Sequence, residues 1–319
     1  MKVLVAGGAG YIGGVTSRLL QESGHDVVVF DDLSTGYQHN LGDTTLVEGS
    51  LVDEDDVSRL FRAYEFEVVM NFAAKIRVEE SMENPHLYFR NNLYGMLNLI
   101  AAATGKGVGG LVFSSTAAVY GEPREVPISE DSPTEPINPY GMSKLMVERA
   151  LASYQVTHGL NWVAFRYFNA GGAYSGVGEE HPVESHLVPL AIRAMKAGKK
   201  LQVYGDDYDT KDGTCVRDYV HVYDIARAHV TAAELMAAGK VLQQPVNLGS
   251  GDGFSVLDVI KTLEEVAGRA VAYDRAARRA GDPPTLVASN ARADELLEWK
   301  PEKSLHDVIT DALAFDEKK

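Results

Sequence analysis

The chain has 319 residues, a net charge of −15, 45% hydrophobic residues and one cysteine, Cys215. The acidic balance excludes nucleic acid and anionic membranes as general partners, and a lone cysteine excludes an internal disulfide framework and fits a reducing cytoplasm. No apolar run is of membrane-spanning length and no signal-peptide pattern is present, so a cytoplasmic protein is expected, long enough for two closely fused domains sharing a cleft.

In chain order, Val3-Leu4-Val5-Ala6 reads as a buried strand leading into Gly7-x-x-Gly10-x-x-Gly13, with Tyr11 and Ile12 inside the motif. An amphipathic stretch bearing Val15, Leu19 and Leu20 follows. Glycines let the backbone turn tightly and approach a pyrophosphate, which the N-terminus of the next helix favours through its amides and dipole. A second strand, Val27–Phe30, ends in Asp31-Asp32. A carboxylate there accepts hydrogen bonds from an adenosine ribose diol and repels a 2′-phosphate, so NAD is expected rather than NADP.

Strand signals recur, ending near Val47, Asn71, Phe113 and Phe168, with helical stretches between them. This alternation implies the α/β class: a doubly wound parallel sheet of Rossmann type, covered on both faces. One long helix is expected after Ser81, carrying Asn91 and Asn92. The strand Gly110–Phe113 delivers Ser114-Ser115-Thr116 to its C-terminal end, where open α/β sheets bind ligands. Ser114 and Ser115 suit turn chemistry equally well. A hydroxyl at Thr116 can bond both a substrate oxygen and a downstream phenol. That phenol is Tyr140, on a helix expected to start near Pro139. Lys144 follows one turn later on the same face. A neighbouring ammonium favours the phenolate and is expected to pull the Tyr140 pKa down from about 10 toward neutrality. Such a group can exchange a proton with a substrate hydroxyl.

After Asn169 the alternation loosens into a Gly-rich loop, Gly171 to Pro182, and an Asp-dense one, Tyr204 to Gly213. The expected division is a cofactor domain at 1–168 with 216–248, and a second, smaller α/β domain at 169–215 with 249–319. His221 reads as a core histidine at a strand end. His, Cys and acidic residues show no zinc-like spacing, so no metal is expected.

Taken together, Gly7–Gly13, Phe72-Ala73-Ala74, Asn91-Asn92, Ser114–Gly121, Pro139–Lys144, Arg166–Asn169, Val216–Val222 and Arg278–Asp282 resemble the extended short-chain dehydrogenase/reductase superfamily. Within it the chain is most similar to the UDP-glucose (UDP-galactose) 4-epimerases. The resemblance implies that NAD is held by Gly7, Gly10, Tyr11, Ile12, Gly13, Asp31, Asp32, Leu51, Phe72, Ala73, Ala74, Asn91, Ser114, Ser115, Tyr140, Lys144 and Tyr167. Ser50 stands where these enzymes usually have an Asp contacting adenine, and its hydroxyl is expected to make a weaker bond there; the family varies around Lys75. For a UDP-hexose substrate it implies Thr116, Asn169, the loop residues His186 and Leu187, and Tyr204 beside uracil. It further implies Arg217 and Arg279 on the phosphates, Asp282 on a ribose hydroxyl or fixing Arg279, and Leu286 lining the hexose pocket.

The activity so implied is interconversion of UDP-glucose and UDP-galactose through a 4-keto sugar, with Tyr140, Lys144 and Thr116 catalytic. Epimerisation of UDP-N-acetylglucosamine or UDP-glucuronate is the alternative. Nucleotide-sugar dehydratases carry acidic residues at the positions of Ala117 and Ala118, and two alanines cannot supply their acid/base pair. A non-catalytic dinucleotide sensor would need the glycines but not the Tyr140, Lys144 and Thr116 set. The resemblance also implies a homodimer built on the helix after Ser81 and the helix of Tyr140. Leu93, Leu97, Ile100, Met146 and Ala150 face either core or partner.

Overall fold

In the computed structural model, which describes residues 1–279 and 282–318, the apolar runs assemble into one seven-stranded sheet. Its strands are β1 (Lys2–Ala6), β2 (Asp26–Asp31), β3 (Thr45–Glu48), β4 (Val68–Asn71), β5 (Gly110–Thr116), β6 (Trp162–Tyr167) and a last strand, Gln244–Leu248. From the Gln244–Leu248 edge the order runs β6, β5, β4, β1, β2, β3, and β1 to β6 pair in parallel. The chain thus winds outward in two directions from β1. A parallel strand covered on both faces must be apolar throughout, and Val3 to Ala6 are wholly buried. Helices α1 (Tyr11–Glu22) and α2 (Glu54–Ala63) link the first strands, α2 being capped by the Asp53 side chain on the amides of Asp55 and Asp56.

The single helix expected after Ser81 is divided. Ser81 lies inside α3 (Val78–Glu83), and α4 (Pro85–Tyr88) restarts from Asn84, whose side chain accepts from the Leu87 amide. Pro85 has no N–H to continue α3, so the break falls there. A π-helical turn, Phe89–Tyr94, then leads into α5 (Gly95–Gly105). Asn91 and Asn92 stand on that wide turn, a geometry often found at functional sites. Helix α6 (Pro139–His158) starts as expected, with Pro139 in the first turn and the Asn138 side chain capping the Gly141 amide.

Two compact units emerge, one from Met1–Gly121, Thr134–Tyr167 and Ala226–Val246, the other from Glu122–Pro133, Phe168–Ile225 and Asn247–Lys319. This differs from the expected division at 168, at 216–225, at 247–248 and at 122–133. The last of these joins the second unit through local bonds: the Ile128 amide donates to Val287 O (2.8 Å), and Glu130 accepts from the Asn247 amide (2.8 Å). Each unit has its own core, the first including Leu4, Phe30, Leu99 and Phe113, the second Ile192, Val203, Leu263 and Ile309. Among the described residues no helix is long and apolar enough to cross a membrane.

Candidate active site

In the first unit, the glycine turn and its surroundings fit a dinucleotide phosphate. A Cβ on Gly13 would collide with Gly7 O and lie 3.0 Å from Gly8 Cα, so the first turn of α1 sits directly on the preceding loop. Gly10 is the N-cap of α1 and offers no side chain to its amides. Those amides and the helix dipole form an anion site. Asp31, nearly buried at the end of β2, accepts from the Ala9 amide and the Leu33 amide, both at 2.9 Å. Burial raises its pKa, and these amide bonds work against that rise. Asp31 therefore shapes the glycine loop while keeping lone pairs for a ribose. Asp32 accepts from the Ser34 amide (2.9 Å).

Around this loop the remaining expected cofactor residues divide. Leu51 is buried in the core of the first unit, and the Ser50 amide donates to Asp56 (3.0 Å). The Phe72 ring lies against His229, and the Ala73 amide donates to Asn71 Oδ1 (3.1 Å). Tyr167 shares a 2.6 Å hydrogen bond with His229. Asn91 donates to Asn92 Oδ1 (3.1 Å), and it is Asn92 that organises the region. Its amide nitrogen donates to Lys75 O (2.9 Å) and Ser143 Oγ (3.1 Å), while its oxygen accepts from the Lys75 amide (2.8 Å).

Helix α6 brings the proton-transfer set together. A Cβ on Gly141 would stand 2.6 Å from Ala118 O, so only glycine lets the first turn of α6 press onto the segment after β5. The consequence is that Tyr140 and Thr116 share a hydrogen bond. Thr116 Oγ1 also accepts from the Ala118 amide (3.2 Å). Lys144 is almost wholly buried and donates to Ser114 O (2.7 Å) and Ser114 Oγ (3.3 Å). Burial pushes its pKa down to about 7, partly offset by the Glu148 carboxylate. Burial likewise raises the Tyr140 pKa, the Thr116 hydrogen bond acting in the opposite direction. The expected lowering of Tyr140 by Lys144 is thus not found. Lys144 is turned to Ser114, and burial sets the direction of the phenol's shift.

Ser115 also departs from expectation. Its hydroxyl donates to Glu148 Oε1 (2.5 Å) rather than standing free for a cofactor. Glu148 accepts from Arg166 Nε (3.1 Å) and Nη2 (2.6 Å), and Arg166 Nη1 donates to Tyr120 Oη (2.9 Å). Burial disfavours the Arg166 charge, but Glu148 and Tyr120 raise its pKa above the usual value. Sequence reading missed Glu148, although it lies one further turn along the Tyr140–Lys144 face.

The second unit gathers most of the expected substrate residues. Arg217 is nearly buried, donates to Val216 O (2.7 Å) and pairs with Asp282. Asp282 therefore fixes Arg217, not Arg279. The Arg279 guanidinium lies over the Tyr204 ring, 4.2 Å from its centroid. Leu286 pairs with Arg217 in a short parallel ladder, which brings a guanidinium and an apolar side chain to adjacent strands. Asn169 is exposed, and its side chain hydrogen-bonds Tyr219. Ala280 and Gly281 of the Arg278–Asp282 run lie outside the described residues. His186 and Leu187 begin α7 (Leu187–Lys196), but the His186 imidazole is engaged by Glu179 (2.6 Å) and Glu184 (3.2 Å) rather than left for a phosphate. His221 accepts from the Tyr223 amide and faces Asp311 (3.1 Å), in keeping with a core histidine. Asp218 was not singled out by sequence. It is fully buried and accepts from the amides of Ser250, Gly251 and Ala288.

Comparison with known proteins agrees with this geometry. Residues 3–249 match the NAD dependent epimerase/dehydratase family. A UDP-glucose 4-epimerase of Corynebacterium glutamicum is 46% identical over 318 residues, covering 99% of this chain and 95% of the relative. The crystal structure of UDP-glucose 4-epimerase from Brucella ovis in complex with NAD superposes with a TM-score of 0.95 at 44% identity, covering 98% and 97% of the two chains. That of the Bifidobacterium longum enzyme with NAD+ and UDP gives 0.94 at 37% identity, covering 100% and 99%. The chain belongs to the NAD dependent epimerase/dehydratase family.

Proposed function

We propose that this protein is an NAD-dependent UDP-glucose 4-epimerase, interconverting UDP-glucose and UDP-galactose through a 4-keto sugar. The observation that carries this reading is the convergence of Tyr140, Thr116 and Lys144 at the end of β5, in a unit whose glycine turn fits a dinucleotide. Relatives named for this activity, one structure with NAD and another with NAD+ and UDP, support it.

NAD, when bound, would supply the redox chemistry, as acceptor and donor of the C4 hydride. The chain's own residues bind, orient and move the proton. Gly7, Gly10, Gly13 and the first amides of α1 hold the pyrophosphate, and Asp31 with Asp32 selects an unphosphorylated ribose. Tyr140 takes the proton of the 4-OH and later returns it, while Thr116 holds the 4-oxygen and stabilises the phenolate by its hydrogen bond. Lys144, anchored by Ser114, places a positive charge beside this exchange. Glu148 and Arg166 fix Ser115 from behind. In the second unit Arg217, held by Asp282, and Arg279, stacked on Tyr204, bind the UDP phosphates, for which the guanidinium fork is suited. A fixed UDP anchor leaves the hexose free to present either face.

The enzyme acts in the cytoplasm as a homodimer. Support for the dimer lies in the exposed apolar side chains Met82, Tyr94 and Met146, on α3, the π turn and α6. Of the positions left open by sequence, Ile100 is fully buried core, whereas Met146 is exposed. A monomeric mass in light scattering contradicts this assembly. Tyr140→Phe tests the central reading: turnover falls about 10²–10⁴-fold while UDP binding persists. Near-normal epimerisation by this variant removes Tyr140 as the base.

A further inference from the structure

One polar cluster in the second unit serves neither proton transfer nor phosphate binding. Glu179, His181 and His186 each direct one donor atom into a common space, all three within 4.8 Å of one another. Glu179 Oε1 lies 3.4 Å from His181 Nε2 and 2.6 Å from His186 Nδ1. Glu184 stands beside this group of three, its Oε1 lying 3.2 Å from the same His186 nitrogen. Two of the four side chains, Glu179 at 8% and Glu184 at 2% exposure, are carboxylates withdrawn from water.

A second observation comes from Glu184 itself. Its Oε1 accepts from the amides of Ser185 (2.8 Å) and His186 (2.9 Å). Its Oε2 is buried and has no hydrogen-bond partner. The Arg193 guanidinium stands 3.8 Å away, within reach of charge but beyond hydrogen-bonding distance. A buried carboxylate oxygen left this way is costly unless something else satisfies it.

We propose that Glu179, His181 and His186, with Glu184 beside them, bind one divalent transition-metal ion, zinc by the chemistry of the donors. Two imidazoles and one carboxylate, leaving a fourth position for water, make a nitrogen–oxygen set of the kind zinc takes. Calcium and magnesium prefer oxygen donors alone, and a thiophilic ion would call for sulfur. The Glu179 carboxylate, with the Glu184 carboxylate beside it, offsets the charge of a divalent cation, which moderates the desolvation that a lone buried charge suffers. The reading of the sequence for zinc-like spacing does not single these residues out. Glu-x-His-x-x-Glu-x-His is a compact ligand run, unlike the Cys-rich patterns by which zinc sites are usually recognised. Coordination ties the segment after the short strand Val177–Gly178 to the start of α7. The ion is a structural clip within the second unit, and its existence does not depend on the epimerase reading.

The test uses full-length, tag-free protein stripped with a chelator and titrated with Zn2+ alone by calorimetry, then with Co2+ as a spectroscopic probe. Expected results are saturation at one ion per chain, the intense visible bands of four-coordinate Co2+, and a rise in unfolding temperature with zinc. His181→Ala/His186→Ala should bind at least about tenfold more weakly and lose the temperature rise. Because His186 pairs with both carboxylates at the start of α7, His181→Ala and Glu184→Gln are measured alongside, and circular dichroism identifies the folded variants. No saturable zinc binding by the wild type, or unchanged affinity in the folded variants, overturns the proposal.

Discussion

Glu148→Gln probes the buried pair behind the proton-transfer set. In the wild type the Glu148 and Arg166 side chains are 5% and 4% exposed and joined at 2.6 Å. Three donors converge on this carboxylate: Ser115 Oγ, Arg166 Nε and Arg166 Nη2. Glutamine keeps the shape but loses the charge and turns an NH2 group toward a donor. Breaking a buried pair by neutralising one member costs about 3–5 kcal/mol, because the other charge stays buried without compensation. The loss should appear as a lower urea midpoint, followed by circular dichroism at pH 7. A second consequence concerns Lys144, whose pKa burial lowers to about 7 against the opposing field of Glu148. Removing that anion lowers it further. If the ammonium is the active form, the alkaline limb of the kcat profile then moves to lower pH. A destabilisation under about 1 kcal/mol with an unmoved pH profile refutes the reasoning, since this is the size of an ordinary exposed ion pair.

Two further predictions follow from the same geometry. Lys144→Met should flatten the pH dependence of stability in NAD-free protein. The unfolded lysine binds its proton up to 10.5 and the folded one only to about 7, so the unfolded state carries the extra proton between these values. Wild-type stability therefore rises with pH across that window, by at most about 1.4 kcal/mol per pH unit. Urea midpoints at pH 7 and 9 check the slope, and an identical slope in the variant contradicts the assignment. Leu286→Tyr should depress turnover of UDP-N-acetylated hexoses by about tenfold or more while sparing UDP-glucose, because bulk beside Arg217 excludes the larger 2-substituent. Equal loss on both substrates shows that Leu286 is not the gate.

Much of the first unit was legible because its signals are local. An apolar run, three glycines and a terminal acid lie within the first 32 residues, and each dictates a backbone event close to itself. Tyr140 and Lys144 are one helical turn apart, so their proximity follows from the sequence once α6 is recognised. Other features depend on elements distant in sequence. Glu148 meets Ser115 and Arg166 from two different strands, and no spacing rule reveals that. The Arg217–Asp282 pair spans 65 residues, which is why sequence reading offers Asp282 a ribose hydroxyl or Arg279 and does not offer it Arg217. The Glu122–Pro133 segment reads as a simple connection, and only the bonds of Ile128 and Glu130 assign it to the second unit. Field strength was the other illegible quantity. Sequence places an ammonium one turn from Tyr140, but burial and the Ser114 carbonyl decide what that ammonium does.

The most direct test of the central claim follows the hydrogen at C4. UDP-glucose deuterated at C4 is incubated with the purified protein, and the product is examined by NMR and mass spectrometry while NADH absorbance is monitored. The account predicts UDP-galactose with deuterium retained at C4 and no net accumulation of NADH. Loss of the label to solvent, loss of water from the sugar, stoichiometric NADH formation, or no conversion of either UDP-hexose would contradict it.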